Sequence, residues 1–196
     1  MLYPPVKIGI LGGTFDPPHV AHLIAAELAV GEFALDKMLW MPATQSPLKS
    51  RPDISSVEDR LAMTRLAIQG NPKFEVSRIE LDRGGASFAI ETLRSLRKQF
   101  ADAEMYLLIG RDQFEQFASW RKPEEILRLA KVIVMNRPGD AANASTQFDT
   151  SVTYLTMPLL EISATEIRRR VRADESIRYQ VPDAVIDYIQ QHKLYT

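Results

Sequence analysis

The stretch Gly9-Ile10-Leu11-Gly12-Gly13-Thr14-Phe15-Asp16-Pro17-Pro18-His19-Val20-Ala21-His22 runs from apolar residues through a glycine turn into a segment of helical period. A buried strand that ends in adjacent glycines and opens a helix is a place where phosphates bind. Glycine permits positive φ and close approach of backbone N–H groups to an anion, and the helix N-terminus adds a favourable dipole. In an open α/β sheet, ligands sit at the carboxyl ends of the strands near the switch in strand order, and the first strand usually borders that switch. The stretch therefore predicts a fold and a site together. Gly12, Gly13, Thr14 and Phe15 form the expected phosphate loop. His19 and His22, three residues apart, put both imidazoles on one helix face beside it, where they can stabilise charge growing on a transferring phosphoryl group. The competing reading makes His19 a helix cap and His22 a core residue. His192 is the one further histidine and there is no cysteine, so a zinc site is not expected.

Working outward, short apolar runs without strict alternation recur at residues 6–11, 38–41, 74–79, 106–109 and 132–135, the texture of strands buried on both faces. Segments of helical period separate them. Val20, Leu23, Ile24 and Leu28 mark one helical face, and Ile90, Leu93, Leu96 and Phe100 another. A capping box, Ser55 with Glu58, predicts a further helix that Gly70-Asn71-Pro72 closes. Alternating strands and helices imply right-handed crossovers and a doubly wound parallel α/β sheet. Arg137-Pro138-Gly139 opens a polar stretch to Ser151, read as a surface loop, and a short strand is expected at residues 152–156. Two helices close the chain, one starting at Ser163 with Glu166 three residues on, the other around Pro182. The expectation is a single domain over 1–196, with an α/β core to about residue 160 and a helical part at 161–196.

Composition agrees. Over 196 residues, 45% hydrophobic and 25% charged residues are the balance of an ordinary globular domain. With 24 basic against 25 acidic residues there is no electrostatic footprint for nucleic acid or an anionic membrane surface. No apolar run approaches the ~20 residues that span a bilayer, and no secretory leader is visible, so a cytoplasmic location and small-molecule partners are expected. Without cysteine, disulfides and thiolate chemistry fall away. The spacing of Gly9, Gly12 and Gly13 is not the GxGxxG turn of a dinucleotide-dependent dehydrogenase.

The opening stretch resembles the GGTFDPxHxGH signature of nicotinate mononucleotide adenylyltransferases, within the HxGH nucleotidyltransferase superfamily, and departs from it at Ala21, where the pattern has glycine. A second segment, Ile162-Ser163-Ala164-Thr165-Glu166-Ile167-Arg168, resembles the superfamily's ISSTxxR motif, with Ala164 for a serine. Its chemistry is that of another anion site: Ser163 caps a helix, Thr165 adds a hydroxyl, and Arg168 carries a planar, permanently charged fork. An ordinary capping box before a solvated basic helix is the rival, and Arg169, Arg170 and Arg172 are read as surface charge. Leu108-Ile109-Gly110-Arg111-Asp112-Gln113-Phe114 is close to IGADxF; Gly110 admits a ligand near the backbone, Asp112 accepts from a ribose hydroxyl or caps the next helix, and Arg111 replaces a small residue. Trp120 with Arg121 resembles the segment that stacks on the pyridine ring, although a lone tryptophan is more often core. Gly85-Ala86-Ser87-Phe88-Ala89 matches the segment that, with backbone near the tryptophan, receives the nicotinate carboxylate. Lys49, in Ser46-Pro47-Leu48-Lys49, resembles the PPHK lysine or is simply solvated.

The resemblance, from about residue 8 to 195, implies a Rossmann-like nucleotidyltransferase that moves the adenylyl group of ATP onto nicotinic acid mononucleotide. It would form nicotinic acid adenine dinucleotide and pyrophosphate, a step of NAD biosynthesis, with Mg²⁺ held mainly by the ATP phosphates. Implied for catalysis are His19, His22, Arg168 and Lys49. Implied for ATP are Gly12, Gly13, Thr14, Phe15, Gly110, Asp112, Ile162, Ser163 and Thr165, and for the mononucleotide Asp16, Ser87, Ala89, Trp120 and Arg121. Phosphopantetheine adenylyltransferase is the nearest rival, although that family usually has threonine in place of His19. A cytidylyltransferase is another, and a nucleotide-sensing module without turnover is the rival of a different class, motivated by Ala21, Leu48 and Arg111. The sequence leaves the oligomeric state open.

Overall fold

The computed structural model describes residues 4–44, 54–136 and 147–196, so Leu48, Lys49 and most of the polar stretch after Arg137 lie outside the described residues. The described chain runs β1 (Lys7–Gly13), α1 (Val20–Glu32), β2 (Lys37–Pro42), α2 (Val57–Ile68), β3 (Phe74–Val76), α3 (Ile79–Arg83), α4 (Ala89–Gln99), β4 (Glu104–Gly110), α5 (Arg111–Glu115), α6 (Pro123–Leu129), β5 (Lys131–Asn136), β6 (Val152–Thr156), α7 (Ala164–Arg172) and α8 (Asp183–Gln191). Six strands form one sheet in the order β3-β2-β1-β4-β5-β6, every pair parallel. This is the doubly wound sheet expected, with the order reversing between β1 and β4.

Alternate residues of the central strands feed two cores. Ile8, Ile10, Leu39, Met41, Leu107, Ile109, Val132 and Val134 face α4 and α6, while Leu11, Met38, Trp40, Leu108 and Ile133 face α1. A third core lies away from the sheet. Met63 and Ala67 of α2 pack against Ile167 of α7 and Val185 and Ile189 of α8. That contact docks the last 35 residues or so onto the α/β layers through a helix, not through a strand. Among the described residues no helix is long and apolar enough to cross a membrane.

Several strands run a residue or two past the stretches read from sequence, and three further boundaries differ for a local reason. The 74–79 run yields only Phe74–Val76 as strand, because β3 is an edge strand paired with Met38–Trp40 alone; past that, Ser77 N–H turns in to the Trp40 carbonyl at 2.9 Å and Ile79 starts a helix. Helix α2 is capped one residue later than predicted, with Ser56 Oγ accepting from Asp59 N–H at 3.0 Å. Pro182 is the cap of α8 and not its first residue.

The face of α1 also differs. The structure buries Ala25, Ala26, Ala29 and Val30 and leaves Leu28 exposed, with Leu23 and Ile24 only partly covered. The helix lies close on the sheet, where small side chains fit. On β1 beneath it, a Cβ at Gly9 would stand 2.6 Å from Met38 Cε and 2.8 Å from Leu35 Cδ1. Apolar size marks a helix face only where there is room for it.

Candidate active site

At the carboxyl ends of β1 and β4, on either side of the order reversal, opens a cavity of about 680 Å³. Gly12 and Gly13 from the end of β1, Thr14 after them, Gly110 from the end of β4 and Asp112 after it border it, together with Ser87, Ala89, Trp120 and Arg121. Nine of the residues expected from sequence are thus gathered around one space.

The glycines work differently from the expectation. Gly12 and Gly13 continue β1 in register with Met41 and Pro42, and the left-handed residue of the loop is Phe15, at φ 51°. Its ring tucks beneath the loop, so a Cβ at Gly13 would stand 2.8 Å from that ring, whereas one at Gly12 would meet nothing within 4 Å. Gly13 is small because Phe15 fills the space below. Asp112 does not cap α5. Gly110 is the cap there, its N–H donating to Gln113 Oε1 at 3.0 Å, so the Asp112 side chain stays exposed on the cavity. Arg111, a departure from the family pattern, turns its side chain to Glu115 at 3.2 Å and does not border the cavity.

Trp120 is both core and wall. Its ring packs on Phe117 with centroids 5.3 Å apart while the residue stays half-buried on the cavity, and its Nε1 is buried without a partner. Arg121 lies over the Phe88 ring at 5.4 Å. Ser87 Oγ accepts from Thr44 N–H at 3.1 Å, tying the segment before α4 to the loop after β2. Glu80 and Thr92, which belong to no motif of the sequence, also border the cavity, as do Phe88 and Gln113 from within two of the motifs. Glu80, buried and accepting from the Thr92 hydroxyl at 2.7 Å, lies just past the 74–79 run, in the short helix α3 that no sequence signal announces.

The remaining predicted residues among those described form a second group around the start of α1; Lys49 lies outside them. The His19 and His22 rings stack, centroids 3.6 Å apart, and His22 stands edge-on to Phe15 at 5.2 Å. His22 Nδ1 accepts from the His19 N–H at 3.2 Å, which leaves the ring proton on Nε2. His19 is the N-cap of α1 and only 7% exposed; burial pulls its pKa down to about 4, and its Nδ1 has no partner. Cap and paired imidazole are therefore one arrangement and not rivals. Arg168, 3% exposed, donates Nη1 to the Asp16 carbonyl at 2.7 Å and Nη2 to Thr165 Oγ1 at 3.3 Å, while its Nε is buried without a partner. Ser163 Oγ accepts from Glu166 N–H at 3.2 Å as the cap of α7, and Ile162 packs partly into the third core. Arg169 is held by Glu166 and Glu175, in keeping with surface charge. The Asp16 carboxylate points inward: it is 1% exposed, accepts from the Tyr195 hydroxyl at 2.7 Å, and does not border the cavity.

A glycine-ended first strand, a stacked histidine pair at the following helix and a cavity at the order reversal define a nucleotidyltransferase of the α/β type, and the cytidylyltransferase-like family matches residues 10–170. A Salinibacter ruber protein named "Probable nicotinate-nucleotide adenylyltransferase" is 44% identical over 191 residues, covering 97% of this chain and 98% of that one. An Opitutus terrae protein of the same name is likewise 44% identical over 191 residues, with 97% and 98% covered. The chain belongs to the nicotinate-nucleotide adenylyltransferase family. Among solved structures, Plasmodium falciparum nicotinic acid mononucleotide adenylyltransferase complexed with NaAD superimposes with a TM-score of 0.76 at 18% identity over 97% of each chain, a likeness of fold.

Proposed function

We propose that the protein transfers the adenylyl group of ATP to nicotinic acid mononucleotide, releasing pyrophosphate and forming nicotinic acid adenine dinucleotide for NAD biosynthesis. The observation that carries this reading is one cavity bordered both by the Gly12–Gly13 strand end and by Trp120, with the histidine pair on the adjoining helix. A mononucleotide with a flat heterocycle suits a pocket walled by Trp120 and Phe88, and its phosphate would reach toward the glycine loop.

The acceptor phosphate is already an anion, so in-line attack on the α-phosphorus needs no protein nucleophile. What the chain supplies is alignment and charge stabilisation. His22 presents Nε2–H to the transferring group, and the unpartnered His19 Nδ1 and Arg168 Nε are buried polar atoms for which polyphosphate oxygens are suitable partners once a donor proton faces them. Asp112 is proposed to accept from a ribose hydroxyl, Ser87 and the backbone at Ala89 to receive the carboxylate with Arg121 nearby, and Lys49 to approach the polyphosphate. Ser163 and Thr165 are proposed as hydroxyl donors to ATP.

Mg²⁺ is the proposed metal. Among the described residues no group of three or more His, Asp or Glu side chains stands ready to hold a cation, and the unpartnered atoms belong to an imidazole and a guanidinium, so the residues fit a metal carried in on ATP phosphates and water. When bound, it would neutralise charge on the departing pyrophosphate.

The deciding assay is pyrophosphate release with ATP and Mg²⁺, offering nicotinic acid mononucleotide, its amide or phosphopantetheine, with CTP in place of ATP as a further arm. Release highest with ATP and the nicotinic acid form is expected; release with phosphopantetheine or CTP instead would overturn the assignment, and silence throughout would favour a sensing module. His22→Ala should lower turnover by about 10²-fold or more while the fold persists, the usual loss when one charge-stabilising donor is removed.

A further inference from the structure

The cavity and the histidine pair meet at residues 14–16, and that segment is gripped from behind by side chains that border neither. Arg60, in the middle of α2, is 1% exposed. Its Nη1 donates to the Thr14 carbonyl at 2.9 Å and to the Ala43 carbonyl at 2.7 Å, and its Nε to the Ser55 carbonyl at 3.2 Å. Thr14 follows β1, Ala43 follows β2, and both border the cavity. One rigid guanidinium therefore sets the spacing of the two loops, a task for which its planar fork is suited and a lysine's single ammonium is not.

Packing alone does not ask for this. Met63 and Ala67, one and two turns further along α2, are buried apolar residues, and an apolar side chain at position 60 would avoid the cost of burying a charge. Asp16 is the group that most opposes that desolvation of Arg60. Asp16 in turn takes the Tyr195 hydroxyl at 2.7 Å, so the far end of the chain reaches back to the same loop.

We propose that Arg60 and Tyr195 are positioning residues for the transfer reaction: by holding residues 14–16 against residues 43–44, they set the distance between the α1 histidines and the cavity. The proposal rests on the adenylyl-transfer reading above.

Two variants test it. Tyr195→Phe removes one hydroxyl from a buried ring, and Arg60→Lys keeps the charge but loses the fork. For each, kcat and KM for ATP and the mononucleotide are measured per folded molecule, and amide hydrogen exchange of peptides spanning 12–16 and 43–44 is followed by mass spectrometry. The expected result is a kcat lower by about tenfold in Tyr195→Phe and on the order of 10²-fold in Arg60→Lys, with little change in KM and faster exchange confined to the two loops. A wild-type kcat in folded Tyr195→Phe overturns the proposal, whether or not Arg60→Lys folds. Should wild type release pyrophosphate with no acceptor, the functional reading itself has failed, and loop exchange in Tyr195→Phe then decides: faster exchange upholds the positioning role, unchanged exchange ends it.

Discussion

His19 shows how a single position couples stability to chemistry. Its folded pKa of about 4 lies below the ordinary value of 6.5 because burial disfavours the imidazolium. Between those two values the unfolded chain binds a proton that the folded one does not, so this residue makes stability rise with pH across that window and fall as the solution is acidified through it. At pH 5 the penalty relative to pH 7 should be about 2 kcal/mol. Urea unfolding of wild type and His19→Asn at both pH values measures it. The variant should lose most of that pH dependence, and an equal loss in both proteins would show that His19 is not its source. The same burial keeps His19 uncharged at neutral pH, so the role proposed for it toward an anionic ligand is a directed hydrogen bond rather than a net charge.

Helix α1 brings those histidines to the site, and its seat on the sheet depends on small side chains. Ala26 and Ala29 are fully buried against the layer that includes Trp40 and Met38. Enlarging one of them must lift the helix or distort its neighbours, at roughly 1–3 kcal/mol for an overpacked core. Ala29→Leu is expected to lower stability by that amount in chemical denaturation, whereas Leu28→Ala, on the exposed side, should change it by less than about 0.5 kcal/mol. Equal costs for the two would put the buried face where the spacing of the large apolar residues places it. This element was half legible. Its start could be read from Pro-Pro-His and its period from Leu23 and Ile24, but the burial of alanines over leucine depends on how near the sheet stands.

Across the whole molecule, the two closing helices are tied to the α/β layers at the site itself. Arg168 donates to the Asp16 carbonyl, the Gln180 carbonyl accepts from Val20 N–H at 2.8 Å at the first turn of α1, and Tyr195 reaches Asp16. A segment so joined should not melt by itself. Thermal unfolding followed by tryptophan fluorescence, which reports Trp40 and Trp120 in the α/β layers, is expected to coincide with that followed by far-ultraviolet circular dichroism. An earlier circular dichroism transition would mark α7 and α8 as a separately unfolding unit.

The linear chain by itself determined the alternation of strands and helices, the glycine-ended first strand, and the histidine pair at the helix that follows it, because these rest on periodicity, glycine and spacing within a few residues. It also pointed to Ser87, Ala89, Asp112 and Trp120 as cavity residues, through resemblance. Tertiary structure alone decided which groups border the cavity and which face inward. Asp16, which the resemblance implies for the mononucleotide, turns its carboxylate to Tyr195, 179 residues away, and Arg60, which belongs to no motif of the sequence, lies buried under two loops. Local sequence carries the geometry of one turn or one strand, whereas the partner of a buried polar group is chosen by packing between elements distant in the chain, and no short-range pattern encodes it.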